Sequence, residues 1–148
     1  MFKWLSNLFL VKEIRSKTGE LHFQRWVLFA LPFLRIYLHK ICLPDYDEHM
    51  HDHPWNFISI ILKGGYLEKF SNGPNYDIVS YNHNNPGTIV KRNREQVHKI
   101  EKLFKISSWS LVLAWGEYQI WGYRIGSEWV DHILYRLMKY GKENRSNG

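Results

Sequence analysis

Histidines at alternate positions are the clearest chemical feature of the sequence. His49, His51 and His53 lie in the stretch EHMHDHPWNF at 48–57. In an extended strand, side chains two positions apart point to the same side of the chain. This geometry allows the three imidazoles to face one cavity, as metal ligands, as proton-transfer groups or as packed side chains.

A complete metal site needs ligands from a second segment, because one strand supplies only part of a coordination sphere. His98, in REQVHKI, is the best candidate, since it begins a predicted strand after a loop opened by a Pro-Gly pair. Asp52 alternates outward from His51 and His53, so we expect it to face a loop or to support a ligand from behind. These positions predict a metal site formed by His51, His53 and His98.

Four further residues are candidates for proton transfer or for lining the cavity. His49 is a candidate fourth ligand, proton shuttle or residue at the cavity mouth, and equally an exposed histidine in an acidic turn. Tyr37, His39 and Arg35 share one face of the predicted strand RIYLHKI. That face lines the cavity or forms a polar exterior, and we favour the cavity.

Aromatic and basic residues are candidates for binding a substrate. Trp55 follows the second histidine of the pair by two positions, so it is predicted to point inward beside the metal. Trp121 and Tyr123 either wall the cavity or simply fill a small barrel, as large aromatics commonly do. Arg124 and Arg35 are candidates for binding a carboxylate or phosphate, with an exposed strand cation as the alternative.

Short runs rich in aromatic and β-branched residues, separated by turn signals, begin at about residue 21. This pattern predicts an all-β sandwich or barrel over about 21–126. Gly64-Gly65, between WNFISIILK and YLEKF, predicts a hairpin. In such a hairpin Glu68 lies too far along the strand from His53 to be a ligand, so it is expected to be structural or at the rim.

The apolar residues at the two ends of the chain are spaced differently from those in the strand-like runs. MFKWLSNLFLVKEIR at 1–15 and EWVDHILYRLMKYG at 128–141 have helical spacing and predict a short N-terminal helix and a C-terminal helix. The remaining residues, 142–148, are expected to form a flexible tail. No repeat or linker divides the chain, so its 148 residues are predicted to form a single domain.

Composition narrows the functional classes. The chain has 45% hydrophobic residues, a formal charge of +6 and a single cysteine, Cys42, which excludes an intrachain disulfide and favours the cytoplasm. No run is long enough for a membrane span. The positive charge suits an acidic partner, but no nucleic-acid recognition motif accompanies it. The charge therefore indicates an acidic partner without indicating a nucleic acid.

The spacing of these histidines resembles the cupin superfamily, small jelly-roll barrels built as a double-stranded β-helix. The first cupin motif places a Glu and then a Gly after His-x-His. Counted from His51 and His53, the Glu position holds Ile58 and the Gly position holds Gly65. The resemblance therefore implies the fold, with a departure at the carboxylate ligand.

The second cupin motif, which runs from a Gly to a His, is matched in spacing by Gly87 and His98. Asn93 and Glu95 stand where the family has Pro and Gly. The longer signature, RW at 25–26, IYLHKI, HDHPWNF, ILKGGY and WGY at 121–123, is similar to a group of small cupin-like proteins of bacteria and phages. Cupins often pair through sheet edges, so the resemblance also implies a possible homodimer.

The missing Glu changes the expected metal chemistry. Two His and one carboxylate are common at non-haem iron sites, whereas here the set implied is three neutral imidazoles. Such a site keeps the full 2+ charge of the metal and favours an anionic ligand or bound hydroxide. Three-histidine iron sites resemble those of thiol dioxygenases, so Fe(II) is the expected metal, with Zn, Mn, Ni or Cu as alternatives.

Three functional hypotheses follow. The leading one is a metal-dependent oxygenase of the Fe(II) dioxygenase type, in which dioxygen and an anionic substrate meet at the metal. In it Tyr37, His39 or His49 moves protons. The second is a metal-free sugar-nucleotide isomerase or epimerase with a histidine base and a tyrosine acid. The third is a cupin that binds a ligand without turnover.

Overall fold

The computed structural model describes residues 10–16, 18–71 and 78–141. Over these ranges the chain forms eleven strands and one helix. The strands are β1 Leu10–Arg15, β2 Leu21–Leu31, β3 Leu34–Ile41, β4 Asn56–Lys63, β5 Tyr66–Ser71, β6 Val79–Asn84, β7 Ile89–Arg92, β8 Val97–Leu103, β9 Ser108–Trp115, β10 Gly122–Ile125 and β11 Glu128–Asp131, and the helix is α1 His132–Tyr140.

The strands form antiparallel sheets that enclose a cavity. A six-stranded sheet has the order β1-β2-β3-β9-β4-β7, and a three-stranded sheet has the order β6-β5-β8. β10 and β11 form a separate pair. The backbone of His51 lies between these last two groups, paired with His98 of β8 and with Tyr123 of β10. The predicted all-β jelly-roll architecture with a C-terminal helix is confirmed.

Alternation along the strands separates the interior from the outer surface. In β9 the residues Ser108, Ser110, Val112 and Ala114 are buried in strict alternation. Two apolar clusters pack inside the barrel; one comprises Ile41, Ile61, Tyr66 and Ile100, and the other comprises Tyr37, Val112 and Ala114. Each large apolar side chain that is fully buried contributes about 1.5–3 kcal/mol. The core therefore lies between the two larger sheets.

Gly64 and Gly65 do not form the predicted hairpin. β4 belongs to the six-stranded sheet and β5 to the three-stranded sheet, so the glycine pair carries the chain from one sheet to the other. Both residues have positive φ, +83° and +91°. A Cβ on Gly64 would also collide with the carbonyl oxygen of Ser107. Glycine suits this crossing because it adopts positive φ without a steric penalty.

The two ends differ in how they match the sequence prediction. Residues 1–9 lie outside the described residues, and Leu10–Arg15 is a strand instead of the predicted helix. Its backbone pairs with β2, and the side chain of Gln24 donates to Glu13 at 2.8 Å. Pairing with a sheet edge thus prevails over the helical spacing of the apolar residues.

The predicted C-terminal helix is present, but it begins only at His132. The carboxylate of Asp131 caps it by accepting from the backbone N–H groups of Ile133 and Leu134, both at 2.9 Å. The predicted tail at 142–148 lies outside the described residues. Where the chain is described, no helix has both the length and the apolar character needed to cross a membrane.

Candidate metal centre

Three histidines converge inside the barrel. His51, His53 and His98 each offer a ring nitrogen, and these three atoms lie within 4.8 Å of one another. The Nε2 atoms of His53 and His98 are 2.6 Å apart, which is a hydrogen-bond distance. The three residues predicted from sequence spacing are therefore brought together as a group able to hold a metal ion.

Backbone pairing explains why His51 and His98 meet. Each donates its N–H to the carbonyl of the other, at 2.9 Å in both directions. Residues directly opposite each other in an antiparallel pair place their side chains on the same face. The backbone N–H of His53 donates to the Arg94 carbonyl at 3.1 Å, and the Gln119 amide donates to the His53 carbonyl at 2.9 Å. Both ends of the His-x-His segment are thus anchored.

A buried carboxylate orients His98. Glu68 is fully buried, and its Oε1 lies 2.6 Å from Nδ1 of His98. Its Oε2 accepts from Arg92 Nη2 at 2.7 Å and from Asn84 Nδ2 at 2.9 Å. Because the carboxylate holds the proton on Nδ1, the Nε2 lone pair of His98 points toward the other two histidines. Carboxylates support metal-binding histidines in this way in many proteins.

The pKa values of Glu68, His51 and His53 are all lowered, which favours an ionised carboxylate and neutral imidazoles. Burial alone would raise the pKa of Glu68, but the hydrogen bond and charge of His98 and the charge of Arg92 outweigh it and lower the pKa to about 2. Burial lowers the pKa of His51 to about 4 and that of His53 well below its usual value. Neutral imidazole is the form that binds metals. The donor set fits a divalent transition metal.

The position expected for a carboxylate ligand is apolar in the structure too. Ile58 points away from the cavity, and its neighbour Phe57 lines the cavity wall. The ring centroid of Phe57 lies 4.7 Å from that of His53 and 6.2 Å from that of His98. Counting along the motif thus placed the expected ligand position one residue from the side chain that faces the metal site. The ligand group remains three imidazoles.

The histidines open into a cavity of about 250 Å³. Seven of the candidate metal-binding, catalytic and substrate-binding residues line it: His51, His53, His98, Tyr37, His39, Trp55 and Trp121. Asp52, which was expected to alternate outward, also lines it. The face of β3 that carries Tyr37 and His39 is therefore the inner one. Trp121 lies beside the metal group, with its ring centroid 5.9 Å from that of His51.

His49, which alternation with the His-x-His pair made a candidate ligand, proton shuttle or mouth residue, does not line the cavity. Its Nδ1 lies 3.2 Å from the hydroxyl of Tyr135 in α1, and its ring packs edge-on against the ring of that tyrosine. The segment before His51 is irregular, so the alternation of a strand does not extend back to position 49. The structure thus places His49 against the C-terminal helix.

Three residues predicted to bind substrate also lie away from the cavity wall. The hydroxyl of Tyr123 donates to Asp47 at 2.9 Å, outside the cavity. Arg124 donates to a carbonyl in the turn after β10 at 3.4 Å. Arg35 stacks its guanidinium on the Trp55 indole, 4.7 Å from the ring centroid, and its Nη1 is buried without a hydrogen-bond partner among the described residues. The side chains of Tyr123 and Arg124 thus point away from the cavity, whereas the guanidinium of Arg35 lies against Trp55.

The roles of several residues of the site were not predicted from the sequence. Glu68 is the buried partner of His98 and not a rim residue, because β5 pairs with β8 and not with β4. Arg25, Lys12 and His22 line the cavity from β1 and β2. Only Arg25 carries a sequence signal, since it alternates with Phe23 and lies in the RW element of the longer signature.

Comparisons with known proteins support the fold. No family model matches the sequence, and no curated protein matches it. A structure of Fe(II)-HppE with an alternative substrate has a TM-score of 0.55 at 13% identity, covering 75% of this chain and 57% of that one. A proposed mannose-6-phosphate isomerase of Ralstonia eutropha JMP134 has a TM-score of 0.53 at 10% identity, covering 63% and 83%.

Hydroxypropylphosphonic acid epoxidase from S. wedmorenis is also similar, with a TM-score of 0.50 at 13% identity over 71% of this chain and 56% of that one. This chain therefore spans little more than half the length of the HppE and epoxidase chains. At these identities the likeness concerns the fold alone. The chain has a cupin-type jelly-roll fold, and its three-histidine group lies inside that barrel.

Proposed function

We propose that the protein is a metal-dependent cupin enzyme, a small-molecule oxygenase that binds a divalent metal, Fe(II) in the first place, and acts on an anionic substrate. The observation that carries this proposal is the convergence of three imidazole nitrogens with a carboxylate behind one of them. Three ligands on one side of an ion leave coordination positions open for substrate and dioxygen.

His51, His53 and His98 would hold the ion, and Glu68 would keep the ring of His98 oriented. A bound divalent metal would supply Lewis-acid activation of the substrate and one-electron chemistry with dioxygen. Phe57, which packs against two of the histidines, would exclude water from that side. A dry wall strengthens electrostatic interactions with a charged substrate.

Trp55 and Trp121 would contact the apolar part of the substrate, since both line the cavity. His39 has a narrower role than its position alone implies. Its Nε2 accepts a hydrogen bond from Arg25 Nε at 2.9 Å, so in the neutral ring the proton is on Nδ1. His39 would therefore donate a hydrogen bond, and Tyr37 becomes the better candidate for proton transfer.

The metal-free isomerase or epimerase remains the alternative. It requires a histidine with a free ring nitrogen opposite a tyrosine. His53 and His98 pair with each other, and the Nε2 of His39 is occupied by Arg25. A cupin that binds a ligand without turnover would use the same metal site, so metal content separates the first hypothesis from the second and turnover separates it from the third.

Elemental analysis of the untagged protein after anaerobic loading with Fe(II) tests the proposal. We expect about one divalent ion per chain in the wild type. His51→Ala and His53→Ala should lose affinity by more than the roughly 10–100-fold that removal of a supporting contact costs. His83→Ala is the matched control, because that histidine is exposed and its ring stacks on the ring of Phe104.

Circular dichroism would establish that each variant is folded. A folded wild type that takes up no metal under any loading condition would exclude the oxygenase. Metal binding without dioxygen consumption across a panel of small organic acids would instead favour the ligand-binding cupin.

A further inference from the structure

Basic side chains form a row across the inner face of the six-stranded sheet. Lys12 of β1 is directly opposite Arg25 of β2, and Arg25 is directly opposite His39 of β3. Opposed residues in antiparallel strands project to the same face. All three side chains line the cavity into which the three candidate metal-binding histidines open. We call Lys12, Arg25 and His39 the cation row.

Packing holds the guanidinium of Arg25 in place. Its Nε donates to His39 Nε2 at 2.9 Å, and its Cζ lies 4.6 Å from the ring centroid of Tyr37 and 5.5 Å from that of Phe23. Cation–π contacts of this kind orient a cation without neutralising it. Within the described ranges its Nη groups have no hydrogen-bond partner, so they remain available to a ligand.

Within the part of the chain that the structure describes, the positive charge of the row has no counter-charge. Among the described residues, no carboxylate lies within ion-pair distance of Lys12 or Arg25. Burial lowers the pKa of both groups, and the positive charge of Arg25 lowers the pKa of Lys12 further. An anion placed between these two side chains would relieve that repulsion.

The two carboxylates that line the cavity are committed elsewhere. Asp45 accepts the backbone N–H of Ile100 at 2.8 Å. Asp52 accepts the backbone N–H of Gly122 at 2.7 Å and the indole N–H of Trp129 at 2.8 Å. Neither neutralises the cation row, so the positive side of the cavity is left for a ligand.

We propose that the cation row is a subsite for a phosphoryl group, the dianionic head of a phosphate monoester or a phosphonate. Arg25 and Lys12 supply two positive charges, and the Nδ1–H of His39 adds a third donor, because Nε2 of that ring is occupied by Arg25. Two charges match a dianion better than a monocarboxylate. As a statement about the substrate this rests on the proposed function, whereas binding to the row does not.

Anion binding to the metal-free protein tests the subsite. Isothermal titration at constant ionic strength would compare inorganic phosphate, methylphosphonate and acetate. We expect the first two to bind at least about tenfold more tightly than acetate, and Arg25→Gln to weaken phosphate by about 10–100-fold, since charge-assisted hydrogen bonds are lost. Lys12→Gln should have a smaller effect, because Lys12 is more exposed than Arg25.

Lys40→Gln is the matched control. Lys40 is adjacent to His39 on β3 but alternates to the other face, where its ammonium lies 5.3 Å from the ring centroid of Trp109. It should not change phosphate affinity. Should Arg25→Gln fail to fold, Lys12→Gln against Lys40→Gln carries the same comparison.

Two results would overturn the subsite: phosphate that binds no more tightly than acetate, or phosphate affinity that is unchanged in both Arg25→Gln and Lys12→Gln. The metal readout is separate. Phosphate binding in a protein that never takes up metal would leave the subsite standing and remove the oxygenase. Metal uptake without phosphate binding would do the reverse.

Discussion

The cavity has two charged walls that are completed in opposite ways. On one side lies the Glu68 cluster, which we define as Glu68, Asn84, Arg92 and His98. Every oxygen of its carboxylate accepts a hydrogen bond, and the donor atoms of Arg92 and His98 lie within 3.2 Å of it. On the other side, the cation row carries two positive charges and no carboxylate among the described residues.

This difference separates structural charge from functional charge. A buried ion stabilises a fold only when its partners compensate the loss of water, and the Glu68 cluster meets that condition within the protein. The cation row does not, although Arg25 is held rigidly by aromatic packing and by His39. An ordered, uncompensated cation facing a cavity is suited to binding an anion from solution.

The largest expected effect on the free energy of unfolding comes from the Glu68 cluster, whose charges are paired within the protein. Glu68→Ala should lower the free energy of unfolding by about 3–5 kcal/mol, because it leaves Arg92 buried without its partner. Urea denaturation at pH 7 measures this. The double variant Glu68→Ala/Arg92→Ala should be destabilised by less than the sum of the two single variants. A loss below about 1 kcal/mol would mean that the cluster is not the compensated ion pair described here.

The same cluster should also tune metal affinity. Glu68→Gln keeps the size of the side chain but removes the charge that holds the proton on His98 Nδ1, so we expect divalent-metal affinity to fall by about 10–100-fold. Competition against a chelator of known affinity measures it. Asn82→Ala is the control, since Asn82 is opposite Glu68 on β6 and exposed. Equal metal affinity in Glu68→Gln and Asn82→Ala would show that the Glu68 cluster does not influence metal binding.

For the cation row, we expect a ligand to change the free energy of unfolding, because the row has no carboxylate partner among the described residues to lose. At ten times its dissociation constant, phosphate should stabilise the metal-free wild type by about 1.4 kcal/mol, since it binds only the folded state. Arg25→Gln should show almost none of this gain. Thermal unfolding in phosphate and in chloride at matched ionic strength measures the difference. The same gain in both proteins would show that phosphate acts elsewhere.

Asp47, which is partly exposed and bonds to Lys139 and Tyr123, offers a third polar group to compare with the two walls. Burial raises the pKa of Asp47, but hydrogen bonds from Lys139 and Tyr123 outweigh it and lower the pKa below the usual value. Stability from Asp47 is thus fully present above the unfolded pKa of about 3.9 and is lost as pH falls through the folded pKa.

Asp47→Asn should therefore cost only about 0.2–1 kcal/mol at pH 7, the range of exposed ion pairs. Its cost should be smaller at pH 3, below the unfolded pKa of about 3.9, than at pH 7. Urea denaturation at the two pH values, with the wild type alongside, checks both statements. A constant cost across this range would mean that the charge of Asp47 plays no part.

The metal ligands could be predicted because they depend on short-range order. His51 and His53 share a face through the alternation of an extended chain, and His98 begins a strand that the surrounding residues predict. The same alternation places Tyr37, His39 and Trp55 on inner faces. The inward orientation of each side chain needs no knowledge of which strands pair, whereas the meeting of His98 with His51 depends on their backbone pairing.

The second layer of the site depends on strand pairing that local patterns do not encode. Glu68 reaches His98 because the chain changes sheets at Gly64-Gly65, where the sequence predicts a hairpin equally well. His49 is turned away from the cavity because the chain before His51 is irregular. Neither outcome is visible from alternation alone.

The cation row shows the same dependence on register. The turn between β2 and β3 opposes Leu31 to Leu34, and unbroken counting from there would oppose Arg25 to the outward-facing Lys40. An irregularity between Val27 and Phe29 shifts the register by one, so that Arg25 meets His39 instead. A one-residue shift exchanges the faces of a strand. The residue types follow from the sequence, whereas their meeting at one wall follows from sheet pairing and a bulge.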